Sequence, residues 1–412
     1  MPNSASSDIS ILGAGPAGLT AAITLAKKGV HVTLLDKDDF PREKICGDGL
    51  SGQVISELRR LQPEWIKDLK DSGLATPSMA ARFYSPNLKM MELSFQNGDL
   101  STPPGFICKR KDFDQFLLKK ALSFKEIQFI SGVQITTLTR ADERINLIDQ
   151  QGQTISAARL VLFAGGSNKR LIRQLDADHQ SVKPAGIGVR GYFQHVSGAD
   201  EKHAIEIHFL KELLPWYLWI FPFGDGSANV GLALPEELAG KQQVSLKELL
   251  FQLIGSYPYL QERFKYAILQ GKIEAGRLPY FTGSTCVSGD QYLLLGDAGR
   301  LIDPFTGEGI GNAMASRRYA AETAAECFRT GNFSRDITGK YQQLIESRLV
   351  PELSLSLKLQ KLARKPALLN LVIGRASRHE KTRKLISSML YDQDVKMKLG
   401  RPGFYMKILL GR

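Results

Sequence analysis

Residues 9–36 constrain this chain more than any other stretch. Ile9-Ser10-Ile11-Leu12 is a short apolar run that stops at Gly13-Ala14-Gly15-Pro16-Ala17-Gly18. Leu19 to Lys28 then has helical spacing without a breaker, Gly29 ends the helix, and Val30 to Leu35 alternates into a second strand closed by Asp36. The unit is strand, GxGxxG turn, helix and strand, with an acid 23 residues after the first glycine. Each part has a task in holding a dinucleotide: Gly13 makes the tight turn, Gly15 admits a pyrophosphate close to backbone, and Gly18 lets helix pack on strand. The pyrophosphate caps the helix N-terminus, where free N–H groups and the helix dipole favour an anion. Asp36 is placed to accept hydrogen bonds from the adenosine ribose.

At 412 residues the chain is long enough for two or three domains. The N-terminus has no basic signal-peptide region, and no apolar run reaches the ~18 residues of a membrane span. Cys46, Cys108, Cys286 and Cys327 are scattered without a CxxC pair. That spacing argues against a disulfide framework, a zinc site or an iron–sulfur cluster, and the expected metal is none. A cytoplasmic protein is expected. The net charge of +12 is uneven, because residues 340–412 hold 16 Lys and Arg against 5 Asp and Glu.

After Asp36, residues 37–50 form a polar, glycine-rich loop ending Cys46-Gly47-Asp48-Gly49-Leu50, with a helix expected from Ser51. A cysteine beside Lys44 and just before a helix start sits where thiol pKa tends to fall; the plainer reading is a small buried filler. Residues 79–97 alternate as a strand closing at Asn97-Gly98, and residues 105–122 lead into a helix with Phe113, Phe116, Leu117 and Ala121 on one face. Arg110 falls at that helix's start, where a cation opposes the dipole unless an anion or carbonyl meets it. Strands follow at Ile127–Ile130, Ile145–Ile148 and Arg159–Ala164.

Residues 185–234 change to long alternating strands, an antiparallel sheet with Ile205, Ile207 and Phe209 on one face and Glu206 and His208 on the other. A period of two puts Tyr217, Trp219 and Phe221 on one face, as a sheet core or as an apolar wall. Gln291 to Leu295 is another apolar strand, ending at Gly296-Asp297, and Pro304-Phe305-Thr306-Gly307-Glu308-Gly309-Ile310-Gly311 opens a helix through Ala325. A cofactor longer than one nucleotide half explains this second glycine element. Asp297 can bond a ribityl hydroxyl, and the helix start points N–H groups at a flavin's pyrimidine edge.

In this order, GxGPAGL, the Cys-Gly loop, Arg110 before Phe113-Asp114, Tyr217-x-Trp219-x-Phe221-Pro222, Gly296-Asp297 and Pro304-x-x-Gly307-Glu308-Gly309-Ile310 resemble the geranylgeranyl reductase family of para-hydroxybenzoate hydroxylase-like flavoproteins. The resemblance covers roughly residues 8–330. It implies FAD across a Rossmann-like domain, a sheet domain holding a lipid-like substrate, and reduction of prenyl carbon–carbon double bonds. FAD contacts are implied at Ala17, Asp36, Cys46, Gly47, Gly49, Arg110, Asp297, Gly309 and Ile310, with Val133 as an adenine contact. With the glycine turns, Gly13, Gly15, Pro16, Gly18, Gly296 and Gly307 complete the cofactor set, Tyr217, Trp219 and Phe221 form the substrate set, and Cys46 is the candidate proton source.

Three departures stand out. The family's Cys-Gly-Gly reads Cys46-Gly47-Asp48, placing a carboxylate near the site. Its later glycine pair reads Gly231-Leu232-Ala233. An Asp-Gly pair of hydroxylase relatives reads Gly165-Gly166, which leaves the electron donor open between NADPH and a reduced carrier protein.

The expected architecture is α/β: a discontinuous FAD-binding domain (1–77, 105–180 and 284–339), an antiparallel substrate-binding sheet domain (78–104 and 181–283) and a basic amphipathic helical segment (340–412). That segment suits an anionic membrane surface or a diphosphate head group, or is a helical cap with its basic face in solvent. Nucleic acid is not an expected partner. The rival activity is a flavin monooxygenase, hydroxylating or halogenating an aromatic substrate, and an electron carrier to quinone is a non-enzymatic alternative.

Overall fold

The computed structural model describes residues 5–6, 8–94, 103–166, 169–176, 186–241 and 245–383. The chain opens with β1 (Ile9–Leu12), α1 (Pro16–Ala26), β2 (Val32–Leu35) and α2 (Gly52–Leu61). It continues through β3 (Ala80–Tyr84), β4 (Met90–Ser94), α3 (Arg110–Ala121), β5 (Ile127–Ile130) and β6 (Leu160–Phe163). Next come β7 (Gly186–Gln194), β8 (Ile205–His208), β9 (Leu218–Pro222), β10 (Ala228–Pro235), α4 (Pro258–Phe264) and β11 (Ile268–Leu278). Last are β12 (Ser288–Gly289), β13 (Tyr292–Leu294), α5 (Ile310–Thr330), α6 (Arg335–Arg348), α7 (Val350–Ala363) and α8 (Pro366–Ala376).

Two large sheets carry the fold. The first has the order β12-β13-β6-β1-β2-β5, parallel apart from the β12–β13 pair. Every residue of β1, β2 and β6 is buried, as expected of parallel strands covered on both faces. Pro16 starts α1 and Gly29, at φ +76°, lets the chain reverse into β2. The second sheet has the order β11-β7-β10-β9-β8-β3-β4, antiparallel except where β8 runs parallel to β3.

The single strand expected over 79–97 is instead a hairpin of β3 and β4. Ser85 N–H donates to the Lys89 carbonyl at 2.9 Å, and Leu88 turns the chain at φ +64°. Alternation alone does not reveal such a turn, because Asn87 and Leu88 keep the polar–apolar rhythm; Asn97-Gly98 lies outside the described residues. In β8 the spacing of Glu206 and His208 onto one face holds, but that face is buried too. The His208 ring stacks on Tyr84 at 4.3 Å, its Nδ1 lies 3.0 Å from the Tyr259 hydroxyl of α4, and Arg263 pairs with Glu206.

The basic C-terminal segment is, as far as residue 383, a helical cap. Leu349 and Leu353 are buried in the core that also holds β1, α1 and α5, and Leu357 packs against it. Pro366 is the first residue of α8. Residues 384–412 of that segment lie outside the described residues. No helix among the described residues is long and apolar enough to cross a membrane.

Candidate functional site

The glycine turn is built as its spacing requires. Gly13 sits at φ +104°, and a Cβ there would lie 2.3 Å from Gly165 Cα; a Cβ at Gly18 would lie 1.9 Å from the Gly13 carbonyl oxygen. Gly15 differs, since a Cβ there would meet only guanidinium nitrogens, Arg42 Nη2 at 3.7 Å and Arg110 Nη2 at 3.9 Å. Two cations therefore stand over bare backbone at the start of α1, whose N-terminus has no side-chain cap. Arg42 also contacts Asp36 (3.5 Å) and Asp114 (3.3 Å), while its buried Nε has no hydrogen-bond partner among the described residues. An open cradle, two guanidiniums and an uncapped helix start fit the diphosphate of a dinucleotide such as FAD.

Asp36 closes β2 and is buried. Its Oδ2 accepts the Ala14 N–H at 2.7 Å, and its carbonyl accepts the Val133 N–H at 3.1 Å, so the two residues expected at the adenosine end are neighbours. Arg110 is the first residue of α3. The anion required there is Asp114, one turn on, which takes two hydrogen bonds from the guanidinium at 2.9 Å each.

Arg110 also faces Cys46. Burial pushes the Cys46 thiol above its ordinary pKa, against the pull of the Arg110 charge. That corrects the expectation of a lowered value: Lys44 is exposed and does not set the local field, whereas the surroundings of the sulfur remove water. Two residues on, Asp48 is fully buried at φ +65°. Its Oδ1 accepts the Arg110 N–H (3.1 Å), and its Oδ2 accepts the Tyr192 hydroxyl (2.8 Å) and Asn229 Nδ2 (2.7 Å). Burial lifts its pKa to about 6 against those hydrogen bonds and the Arg190 charge.

Tyr217, Trp219 and Phe221 form a half-buried row with successive ring centroids 6.5 Å apart. The row lies on the cysteine loop: a Cβ at Gly47 would meet Phe221 Cε2 at 3.3 Å and Trp219 Nε1 at 3.5 Å, and one at Gly49 would meet Phe221 Cε2 at 3.1 Å. At its far end the Tyr217 hydroxyl donates to the Thr306 carbonyl in the second glycine element. There Gly296 (φ +55°) packs against Ala313 and Ala17, and Asp297 Oδ1 lies 3.5 Å from where a Gly309 Cβ would stand. Gly307 turns at φ +69°, and Gly309 precedes α5 and its first residue Ile310 with no side-chain cap. The structure thus brings the Cys46 loop, the aromatic row and both glycine elements to one place.

The residues that sequence reasoning missed are non-local. Arg42 gave no motif signal. Tyr192 and Asn229 lie 144 and 181 residues from the Asp48 they contact. Ser356 and Gln360 of α7 bind Asp303 Oδ2 (2.5 Å) and the Pro304 carbonyl (2.7 Å), so the C-terminal cap also holds the second glycine loop in place.

A family described as an NAD(P)-binding Rossmann-like domain matches residues 11–53. Across 356 residues the chain is 29% identical to a digeranylgeranylglycerophospholipid reductase of Methanosarcina acetivorans, covering 83% of this chain and 80% of the relative. The chain is thus similar to a digeranylgeranylglycerophospholipid reductase over most of its length. Its fold is shared by a geranylgeranyl bacteriochlorophyll reductase-like protein from Thermoplasma acidophilum, with TM-score 0.79, 22% identity, and 95% and 98% of the two chains covered. A halogenase solved with phloroglucinol and FAD shares it at TM-score 0.75 and 17% identity, covering 98% of this chain and 90% of that one. At such identities the two structures speak to the fold alone. The geranylgeranyl reductase resemblance read from the motifs and the flavoprotein architecture both hold.

Proposed function

We propose that this chain is an FAD-dependent reductase that saturates carbon–carbon double bonds in the prenyl chain of a lipid. The observation that carries the reading is the seating of the Tyr217–Trp219–Phe221 row on the Cys46–Gly49 loop, which sets an apolar wall beside the residues that suit a flavin. Bound FAD supplies hydride when reduced. Gly13, Gly15, Pro16, Ala17 and Gly18, with Arg42 and Arg110, hold its diphosphate. Asp36 takes ribose hydroxyls, Val133 lies at the adenine, Gly296 and Asp297 hold the ribityl chain, and Gly307, Gly309 and Ile310 turn N–H groups toward the ring. Gly47 and Gly49 let the Phe221 and Trp219 rings lie against the loop and offer the cofactor backbone alone.

The aromatic wall binds by shape and burial, worth about 0.8 kcal/mol per CH₂, because an isoprenoid offers no polar handle. Cys46 stays a protonated thiol at neutral pH, since burial raises its pKa, and so can hold the proton that the second alkene carbon needs. The reductant is NADPH or a reduced carrier protein. The exposed Lys358, Lys361, Arg364 and Lys365 of the α7–α8 region suit an anionic membrane surface that carries the substrate.

The test is anaerobic. Protein reconstituted with FAD and bleached with dithionite is expected to recover its flavin colour on adding digeranylgeranylglycerophospholipid, and Cys46→Ser to bind FAD normally while recovering more slowly. Full-rate recovery in Cys46→Ser removes the thiol from proton delivery. Flavin that stays bleached with the lipid, but reoxidises in oxygen while an aromatic compound is hydroxylated or halogenated, returns the chain to the monooxygenases.

A further inference from the structure

Asp48 occupies a costly position. A residue with a Cβ at φ +65° pays about 1–2 kcal/mol that glycine does not, and a carboxylate with no exposure gives up its hydration. Such a group persists where its surroundings determine it from several sides. Here they do: α3 offers the Arg110 N–H, β7 the Tyr192 hydroxyl and β10 the Asn229 amide, while Asp48's own carbonyl takes the Cys108 N–H at 2.9 Å.

The Asn229 amide passes this arrangement on. Its Nδ2 donates to both Asp48 Oδ2 (2.7 Å) and the Cys46 carbonyl (2.8 Å), which fixes which way the amide faces. Its Oδ1 is thereby turned to accept the Trp219 indole N–H at 2.9 Å. An acceptor in the cysteine loop thus sets the orientation of a side chain in the aromatic wall, across the junction of the two large sheets.

We propose that Asp48 is a positioning residue: through Asn229 it locks the Trp219 indole and the Cys46 loop to each other, so that the wall and the loop keep one spacing. The lock itself stands on the hydrogen bonds above; its effect on turnover rests on the reductase reading. The charged and titratable groups around Asp48 are Cys46 on its own loop, Cys108 just before α3, Arg110 of α3, and Tyr192 and Arg190 of β7. Glu274 of β11 pairs with Arg190 at 2.9 Å, Glu43 reaches it at 3.9 Å, and Lys109 lies over the Tyr192 ring.

The experiment follows the indole N–H of Trp219 in the full-length, FAD-loaded protein by nuclear magnetic resonance, assigned by its loss in Trp219→Phe. In wild type the signal is expected to move once with pH, with a midpoint near the Asp48 pKa of about 6. In Asp48→Asn that movement is expected to vanish and the signal to shift at every pH. Asp48→Gly, which relaxes the backbone, serves where the asparagine variant does not accumulate. In parallel, kcat for digeranylgeranylglycerophospholipid reduction is expected to fall about a hundredfold with KM little changed, the scale of a misplaced wall. A Trp219 signal identical to wild type in both variants overturns the lock. A wild type that does not reduce the lipid overturns the reductase reading instead, and the indole titration still decides the role of Asp48.

Discussion

Asp48 also makes a thermodynamic statement. Its pKa in the folded protein, about 6, lies above the ~3.9 of a free aspartate. The folded state therefore holds the proton more tightly, so the group's favourable contribution is complete below about pH 4 and is lost as pH rises through about 6. The shift corresponds to roughly 3 kcal/mol. Asp48→Asn cannot ionise, so its stability relative to wild type is expected to improve as pH is raised from about 5 to about 8. Thermal melts of the two proteins across that range check this, and parallel curves contradict it. The sequence marked Asp48 as a departure but could not show its role, because every donor to its carboxyl group lies at least 62 residues away.

Among the elements, the two glycine turns separate packing from binding. Gly18→Ala puts a Cβ 1.9 Å from the Gly13 carbonyl, a backbone clash that forces α1 off β1. Gly15→Ala meets only the ends of Arg42 and Arg110 at ordinary contact distance. Gly18→Ala is therefore expected to cost about 1–3 kcal/mol or more in the stability of the FAD-free protein. Gly15→Ala is expected to leave that stability nearly unchanged and still weaken FAD at least tenfold; equal effects of the two on stability would contradict the cradle.

At the second turn, Gln360→Leu removes the donor from α7 to the Pro304 carbonyl, though Trp216 Nε1 still reaches that oxygen at 2.8 Å. A loss of about 1 kcal/mol is expected, together with weaker FAD retention; a calorimetric scan and a flavin titration read the two. Such elements were legible to different degrees. The strand–turn–helix units are local and were readable from spacing, and so was the face shared by Tyr217, Trp219 and Phe221. The turn at Ser85–Lys89 was not, and neither was the burial of Glu206 and His208, which depends on Tyr84, Tyr259 and Arg263 closing over them from other elements.

On the scale of the molecule, the parallel sheet carries the first glycine turn, the second large sheet carries the aromatic row, and the C-terminal helices brace the second glycine loop. The turn and the shared aromatic face were readable in the sequence, because glycine spacing and period-two aromatics are read within a few residues. The C-terminal helices were readable as a cap, on equal terms with a membrane-facing segment, but not as a brace, since the buried positions of α7 that meet Asp303 and Pro304 look like ordinary polar ones until the chain is folded. The central claim is that these parts carry hydride from a flavin to an isoprenoid double bond. Its most direct test is the mass of digeranylgeranylglycerophospholipid after anaerobic incubation with the FAD-loaded, reduced protein. The account predicts a gain of two hydrogens for each double bond saturated, matched by flavin reoxidised; an unchanged lipid mass beside a flavin that is bound and fully reduced would contradict it.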